Sequence, residues 1–227
     1  MHIEELARKI EQDIVFGVYQ PGSRLIEEPM TKRFAVSRHA LRAAFLHLGH
    51  QGLVRHIPNR GVEVIEPTPD EIDDLYEVRQ ILETSAAGIT PLPVASAISR
   101  ALDDIQDRHE HAIATADFRA VFALNMQFHQ LQFSTCPNQK LVAAIEEFAR
   151  KVHVIRAVKY GDTPYMQTVT RQHRDIIAAL RGTDNDAYVA RVISHLPASS
   201  KAYRIAYNIK HGEASPEGQY DKTEAQQ

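Results

Sequence analysis

The chain has 227 residues, a formal net charge of −3 at pH 7 and a hydrophobic fraction of 44%. These values are typical of a soluble globular protein of one or two domains, and no apolar run approaches the roughly 18 residues that a membrane span needs. The single cysteine, Cys136, excludes an internal disulfide framework and fits a reducing compartment, so we expect a cytoplasmic protein without a membrane partner.

Residues 1–66 carry the pattern of a winged helix-turn-helix domain. Apolar residues at helical spacing predict a first helix over residues 3–14, and a second, short helix is expected to begin around Pro29. Ser37 is the expected N-cap of a third helix, because its hydroxyl can accept a bond from an amide of the first turn. Two β-rich runs around a Pro/Asn/Gly turn predict a hairpin over residues 53–65.

The rest of the chain predicts a mainly α protein. Two prolines in residues 67–69 disfavour helix and indicate a linker, after which we expect a helical domain over residues 70–209. The polar stretch 210–227 has no period and is expected to be a disordered tail. Short connections predict an antiparallel bundle of about six helices. The six patterns run roughly over residues 69–90, 93–114, 117–135, 138–159, 164–181 and 184–208.

Charge is unevenly distributed along the chain. The window from Pro29 to Val62 contains no Asp or Glu and has a formal charge of +6, which leaves −9 for the remainder. Its basic residues are Lys32, Arg33, Arg38, Arg42, Arg55 and Arg60. An acidic total argues weakly against a nucleic-acid partner, but a basic helix-turn-helix and wing argue strongly for one. The alternative is a set of solvated surface charges.

The third predicted helix carries the best candidates for DNA contact. Arg38 and Arg42 are four residues apart, on one face near the helix N-terminus, which is the part of a recognition helix that meets base edges. Arginine can donate two parallel bonds to guanine or clamp a phosphate. Ser37 is placed to add a phosphate contact, Arg60 lies at the expected wing tip, and Arg33 belongs to the same basic window.

Three strings in this region resemble the GntR family of bacterial transcription regulators: GVYQPGSRL, FAVSRHALRAAFLHLGHQGLV and NRGVEV. The resemblance implies a homodimer that binds a near-palindromic operator of double-stranded DNA. The family's DNA-contacting positions fall on Ser37, Arg38 and Arg42 of the recognition helix, and on Asn59, Arg60 and Gly61 of the wing.

Polar side chains in the predicted bundle suggest a metal site. Asn125 and His129 share one helix face, His173 lies on the fifth predicted helix, and His195 lies on the sixth. Facing helices of a bundle can bring such groups to a common ion, and imidazole suits Zn, Ni, Co, Cu or Fe. The chain has 12 histidines, so ordinary hydrogen-bonded histidines are the alternative.

Three further strings resemble the FCD ligand-binding domain of the FadR-like branch: LYEVRQILE, NMQFHQLQFSTCPNQKL and HRDIIAALRGTDNDAYVARVISH. Six helices rather than seven point to the VanR-like subgroup. The resemblance implies a divalent transition metal, with zinc or nickel expected first, held by Asn125, His129, His173 and His195. The family usually has Asp at position 125, and an amide oxygen is a weaker ligand, so we expect weaker binding or a different metal preference.

Arg79 is the main candidate for binding an effector. The resemblance suggests that its guanidinium binds the carboxylate of a small organic acid, whereas its spacing from Glu83 equally predicts a structural ion pair. Tyr76 and Arg156 are weaker candidates for the same pocket.

Together these features predict a ligand-responsive transcription regulator, expected to be a repressor and not an enzyme. Two alternatives stay open. One is a metal-dependent hydrolase with a DNA-binding appendage, because three histidine ligands can activate water. The other is a constitutive DNA binder with a structural metal.

Overall fold

The computed structural model describes residues 2–156, 163–196 and 198–212. The predicted mainly α class and the winged helix-turn-helix are confirmed. The helices are α1 (Ile3–Val15), α2 (Glu27–Phe34), α3 (Arg38–His50), α4 (Pro69–Ile89), α5 (Ser96–Ala114), α6 (Phe118–Ser134), α7 (Gln139–Lys151), α8 (His153–Arg156), α9 (Thr163–Leu180), α10 (Asn185–His195) and α11 (Ala198–His211). The strands are β1 (Arg24–Leu25), β2 (Val54–Ile57) and β3 (Gly61–Val64). Within the described ranges, no helix is both long and apolar enough to cross a bilayer.

The wing is an antiparallel sheet with the strand order β1-β3-β2. β2 pairs with β3 in a register that sets Arg55 opposite Glu63, which confirms the predicted hairpin. β1 pairs with the other edge of β3 and was not predicted, because two residues are too short to show an alternating pattern. The added strand joins the segment after α1 to the wing.

The second helix begins two residues earlier than predicted, at Glu27 rather than around Pro29. Glu27 and Glu28 lie in its first turn, where carboxylates interact favourably with the positive end of the helix dipole. Pro29 occupies the third helical position, where its missing N–H costs nothing because the first turn has no intrahelical acceptors for such groups. The helix ends at Ala35 in the left-handed conformation, with φ 53°.

The linker predicted over residues 67–69 contains the N-cap and the first residue of α4. Thr68 and Glu71 form a capping box, in which the Thr68 hydroxyl accepts from the Glu71 N–H at 3.2 Å and the Glu71 carboxylate accepts from the Thr68 N–H at 2.7 Å. Pro69 follows at the first helical position. The chain therefore enters α4 directly from the wing.

Two of the predicted bundle helices are wrong at their C-terminal ends. The helix predicted over 138–159 ends at Lys151 and is followed by the short α8. The helix predicted over 184–208 is divided into α10 and α11, and the sequence has a proline at position 197, which lacks the amide hydrogen that a continuous helix needs. The predicted tail starts too early, since α11 extends to His211; residues 213–227 lie outside the described residues.

The winged domain and the bundle share a hydrophobic core. One core cluster joins α1, α3 and the sheet to Ile72 of α4, Ile155 of α8 and Tyr203 of α11. The Tyr203 hydroxyl also donates to the Pro67 carbonyl at 2.8 Å. A second cluster fills the bundle, in which α5 packs against α6 and α9, and α10 packs against α4 and α9. The predicted boundary near residue 66 is thus a change of architecture within one packed structure.

We expect Thr68→Ala to lower the free energy of unfolding by about 1 kcal/mol, because it removes the N-cap of α4. Urea denaturation followed by circular dichroism measures the change. Thr84→Ala is the matched control, since the Thr84 hydroxyl donates to the Gln80 and Ile81 carbonyls within the same helix and caps no helix end. Equal effects of the two substitutions would contradict the capping role.

Candidate functional site

The recognition helix α3 directs its first arginines into solvent. The Ser37 hydroxyl accepts from the Ala40 N–H at 3.1 Å, which confirms the predicted cap. The inner face of the helix is buried and consists of Leu41, Ala44, Phe45 and Leu48. Arg38 is exposed and makes no hydrogen bond or salt bridge among the described residues. A cation in this position, next to the positive end of a helix, suits a phosphate or a base edge.

Arg42 is held in place by an acid that the sequence analysis did not single out. Its Nε lies 2.7 Å from Glu27 Oε1, and its Nη2 lies 3.0 Å from Glu27 Oε2. The hydrogen bond from Arg42 lowers the pKa of Glu27, and the same bond raises the pKa of Arg42, so both groups stay charged near pH 7. Exposed ion pairs of this kind are weak, so a phosphate can compete for the guanidinium.

The wing tip is a tight turn that exposes polar groups. Asn59 has φ 61° and Gly61 has φ 91°, a backbone conformation that favours Asn and Gly. Asn59, Arg60 and Gly61 are all exposed, as the predicted DNA contacts require. The guanidinium of Arg24 donates to the Arg60 carbonyl at 2.5 Å, so β1 supports the turn.

Arg33 is engaged inside the winged domain. Its Nη2 lies 2.7 Å from Asp13 Oδ2, and its Nη1 donates to the Tyr19 hydroxyl at 3.0 Å. Asp13 is 4% exposed, so this ion pair neutralises a buried carboxylate and joins α2 to α1. The Arg33 side chain is still 44% exposed, and its contact with DNA stays a prediction.

Three of the predicted metal ligands come together in the bundle. The ligand nitrogens of His129, His173 and His195 all lie within 4.8 Å of one another. Nε2 of His129 lies 3.1 Å from Nε2 of His195. His173 is fully buried and stacks on Phe128, with ring centroids 4.1 Å apart. Helices α6, α9 and α10 thus bring imidazoles to one point, as their spacing in the sequence predicts.

Each of these imidazoles is oriented by a glutamine at its Nδ1. The Nδ1–Oε1 distances are 2.7 Å for His173 and Gln106, 2.9 Å for His129 and Gln132, and 3.0 Å for His195 and Gln172. An amide oxygen can only accept, so each Nδ1 carries the proton. In the neutral rings, Nε2 then has a lone pair, and this is the form in which histidine binds a metal.

The far ends of Gln106 and Gln172 set which of their amide atoms faces His173 and His195. Gln106 Nε2 donates to the Glu110 carboxylate at 3.1 Å, and Gln172 Nε2 donates to the Ser194 carbonyl at 2.8 Å. A carboxylate and a carbonyl have no proton to donate, so the amide nitrogens must face them. The Gln132 amide nitrogen lies 3.1 Å from the buried Tyr188 hydroxyl, a group that can both donate and accept. The donor set therefore fits a divalent transition metal.

A cavity of about 40 Å³ lies beside the histidines and has room for an ion and a few ligand atoms. The predicted site residues in its wall are Tyr76, Arg79, Asn125, His129 and His195. The side-chain amide of Asn125 has no hydrogen-bond partner in the part of the chain that the structure describes. Asn125 is thus available at the position where the resemblance implies a fourth ligand.

Arg79 forms the ion pair with Glu83 that its spacing predicts. Its Nη2 and Nε lie 2.8 Å and 3.0 Å from Glu83 Oε1, and both side chains are buried. Burial alone would lower the pKa of Arg79, but the charge and the hydrogen bond of Glu83 raise it, so the guanidinium stays protonated. The Tyr76 ring centre lies 5.0 Å from the guanidinium carbon. The side chain of Arg156 lies outside the described residues.

His109 is a cavity residue that the sequence analysis missed. It is 1% exposed, and its ring centroid lies 5.4 Å from that of His173. Burial lowers the pKa of His109 to about 4, so the ring is neutral at pH 7. Its Nδ1 makes no hydrogen bond to any described residue. A lone histidine on a predicted helix gives no sequence signal that it will line a cavity beside other histidines.

The other missed residues are those that orient the site: Arg24, Glu27, Gln106, Gln132 and Gln172. Gln132 alone carries a local signal, because it follows His129 by three residues on the same helix. The remaining ones lie on different elements from the groups that they hold, and no spacing rule connects them.

Two family models match the chain. The model described as "Bacterial regulatory proteins, gntR family" matches residues 2–64, and the model described as "FCD domain" matches residues 74–198. The chain is 27% identical over 201 residues to the HTH-type transcriptional repressor RspR of Escherichia coli K12, covering 88% of each chain.

Two solved structures share the fold. A putative GntR transcriptional regulator from Rhodococcus sp. RHA1 has a TM-score of 0.70 at 26% identity, covering 90% of this chain and 98% of that one. McbR/YncC of E. coli has a TM-score of 0.78 at 16% identity, covering 91% and 98%, a level of identity that supports the fold alone.

Arg33→Met should change the stability of the protein, whereas Arg38→Met should change its affinity for DNA. The first should lower the free energy of unfolding by about 1–2 kcal/mol, because it leaves the buried Asp13 carboxylate without its main partner. The second should leave stability unchanged and weaken binding to double-stranded DNA at low salt. Urea denaturation and fluorescence anisotropy with a labelled duplex measure the two effects, and a reversed pattern would overturn both assignments.

Proposed function

The chain belongs to the GntR family of bacterial regulatory proteins and carries an FCD domain, and from this premise we propose that it is a ligand-responsive repressor. In this proposal a homodimer binds a near-palindromic operator in the cytoplasm, and the helical domain binds a small carboxylate beside a divalent metal. The observation that carries the sensing role is the convergence of three imidazoles, each with its Nδ1 bound to a glutamine oxygen.

The chain is a transcription regulator rather than an enzyme, as predicted. The relatives and structural neighbours that it matches are regulators, which removes the hydrolase alternative. The repressor direction is supported by the 27% identical relative, which is named a repressor. The constitutive DNA binder with a structural metal remains the competing account.

Operator binding is assigned to α3 and the wing. Arg38, Arg42 and Arg60 are exposed cations on elements that stand next to one another in the winged fold. Arg38 is available in the free protein, whereas Arg42 must leave Glu27 or share its guanidinium with it when DNA binds. The acidic remainder of the chain repels DNA, so binding is confined to this end and depends on salt.

Metal binding is assigned to Nε2 of His129, His173 and His195, with the side-chain oxygen of Asn125 as a further ligand. Zinc or nickel is the expected ion, because both accept neutral imidazole. When bound, such an ion supplies positive charge and an open coordination position for an oxygen of the effector. The glutamines keep the rings in the ligand-competent tautomer before any ion arrives.

Effector binding is assigned to Arg79. Its guanidinium is charged, buried and in the wall of the cavity beside the histidines. An incoming carboxylate would compete with Glu83 for this cation, and Tyr76 would pack against the guanidinium on the other side. Arg156 stays a weaker candidate from the sequence.

Regulation requires that the effector bind the DNA-competent and DNA-incompetent arrangements with different affinity. Helix α4 offers a direct connection, since it carries Arg79 and starts at Pro69, next to the wing. Tyr203 of α11 donates to the Pro67 carbonyl at this entry. A shift of α4 along its axis would therefore move the winged domain relative to the bundle.

Selection of duplexes from a random pool tests the DNA assignment. We expect two-fold symmetric half-sites, and Arg42→Ala should weaken binding to the selected duplex by about tenfold or more, because a bidentate arginine contact contributes about 1–3 kcal/mol. Arg108→Ala, an exposed arginine of α5, is the control. Unchanged affinity for Arg42→Ala, or selected sequences without symmetry, would contradict the assignment.

Metal content tests the sensing assignment. His173→Ala with His195→Ala should abolish the metal that co-purifies from zinc- and nickel-supplemented cells, measured by mass spectrometry of the eluted protein. His111→Ala, an exposed histidine on α5, should keep it. Retention of stoichiometric metal by the double variant would show that the ligand set is wrong.

A further inference from the structure

A second cavity, of about 430 Å³, lies between α1 of the winged domain and the bundle. Its volume falls within the range of about 300–1,000 Å³ that is usual for small-molecule sites, and such sites occur preferentially between domains. It shares Arg79 and His129 with the metal cavity, but its other walls come from α1, α4, α6, α7 and α8. The proposed effector site does not use the walls from α1, α7 and α8.

The floor of this cavity is apolar. Phe122 and Phe133 of α6 and Ile145 of α7 are all buried beneath it. Ala123 and Ala149 face it from the same two helices, and their short side chains leave space that a larger residue would fill. A ligand with an apolar body would bury this surface at about 25 cal/mol per Å².

The rim of the cavity carries two arginines that are not hydrogen-bonded to an acid in the described part of the chain. Arg8 of α1 and Arg150 of α7 form no hydrogen bond or salt bridge with any described residue. Two of the acids in the lining are already engaged, since Glu11 contacts His153 at 2.7 Å and Glu83 holds Arg79. Glu146 is the remaining carboxylate. Arg8 and Arg150 are therefore the rim groups placed to bind an anionic ligand.

The winged domain closes one side of this cavity. Glu11 reaches the α7–α8 side through His153, and Gln12 accepts from Arg119 of α6 at 3.3 Å. Any molecule in the cavity would therefore touch the DNA-binding domain and the bundle together. We propose that this interdomain cavity binds an organic monoanion with an apolar, aromatic-sized body. The inference goes beyond the regulator's proposed metal and effector site and does not depend on it.

Titration with 1-anilinonaphthalene-8-sulfonate tests the proposal, because this probe is an aromatic monoanion that fluoresces in apolar sites, and the chain has no Trp. We expect saturable binding of one probe per chain. Ala123→Leu and Ala149→Leu fill the floor, and each should weaken binding about tenfold or more, the equivalent of 1.4 kcal/mol. Arg8→Gln with Arg150→Gln should weaken it by a similar factor.

Matched controls separate this cavity from other apolar surfaces. Ala143→Leu, exposed on the same helix as Ala149, should leave probe affinity unchanged. His111→Ala, exposed on α5 and absent from the walls of both cavities, should also leave probe affinity unchanged. Melting curves show which variants fold, and the two floor variants provide independent tests.

Three outcomes would overturn the proposal. One is the absence of saturable binding, and another is equal binding by all variants. The third is that Ala123→Leu and Ala149→Leu convert a dimer to a monomer on gel filtration, while the unsubstituted chain binds the probe only as a monomer. This result would identify the cavity as a contact between two copies of the chain.

Discussion

The bundle depends on three imidazoles, of which His173 is buried and His129 and His195 are half-buried, and neighbouring amides fix the positions of their protons. Unpaired polar groups are costly in a protein interior, and here each Nδ1 is satisfied by a glutamine whose other end is also satisfied. Helices α5, α6, α9 and α10 must keep their register for this network to close. The Nε2 atoms of His129 and His195 consequently lie 3.1 Å apart, and a bound cation would offset the repulsion between their lone pairs.

The charged groups of the DNA-binding domain are mostly exposed, unlike the polar groups in the interior of the bundle. The domain's cations are exposed, and several have an acid nearby that aims them: Arg42 has Glu27, and Arg55 has Glu63. Arg33 shows the limit of counting charge along a sequence, since its guanidinium neutralises the buried Asp13 rather than facing solvent freely. The net charge of −3 thus combines a basic wing, a set of structural ion pairs and an acidic bundle.

Local patterns predicted most of the fold. Ser37 caps α3 as predicted, because capping depends on residues about three positions apart, and Asp117, Asn138 and Asp184 cap α6, α7 and α10 in the same way. The strand β1 and the division between α10 and α11 were missed, since a two-residue strand has no period and a helical pattern can continue across a break. The histidines were found by spacing and resemblance, whereas Gln106 and His109 were not, because only tertiary packing brings α5 to His173.

X-ray absorption at the zinc or nickel edge of the purified protein tests the central claim most directly. The account predicts a first shell of oxygen and nitrogen with the multiple scattering of three imidazoles, at metal–nitrogen distances of about 2.0–2.1 Å for zinc. A sulfur ligand, or a shell with fewer than two imidazoles, would show that the metal binds elsewhere and would contradict the account.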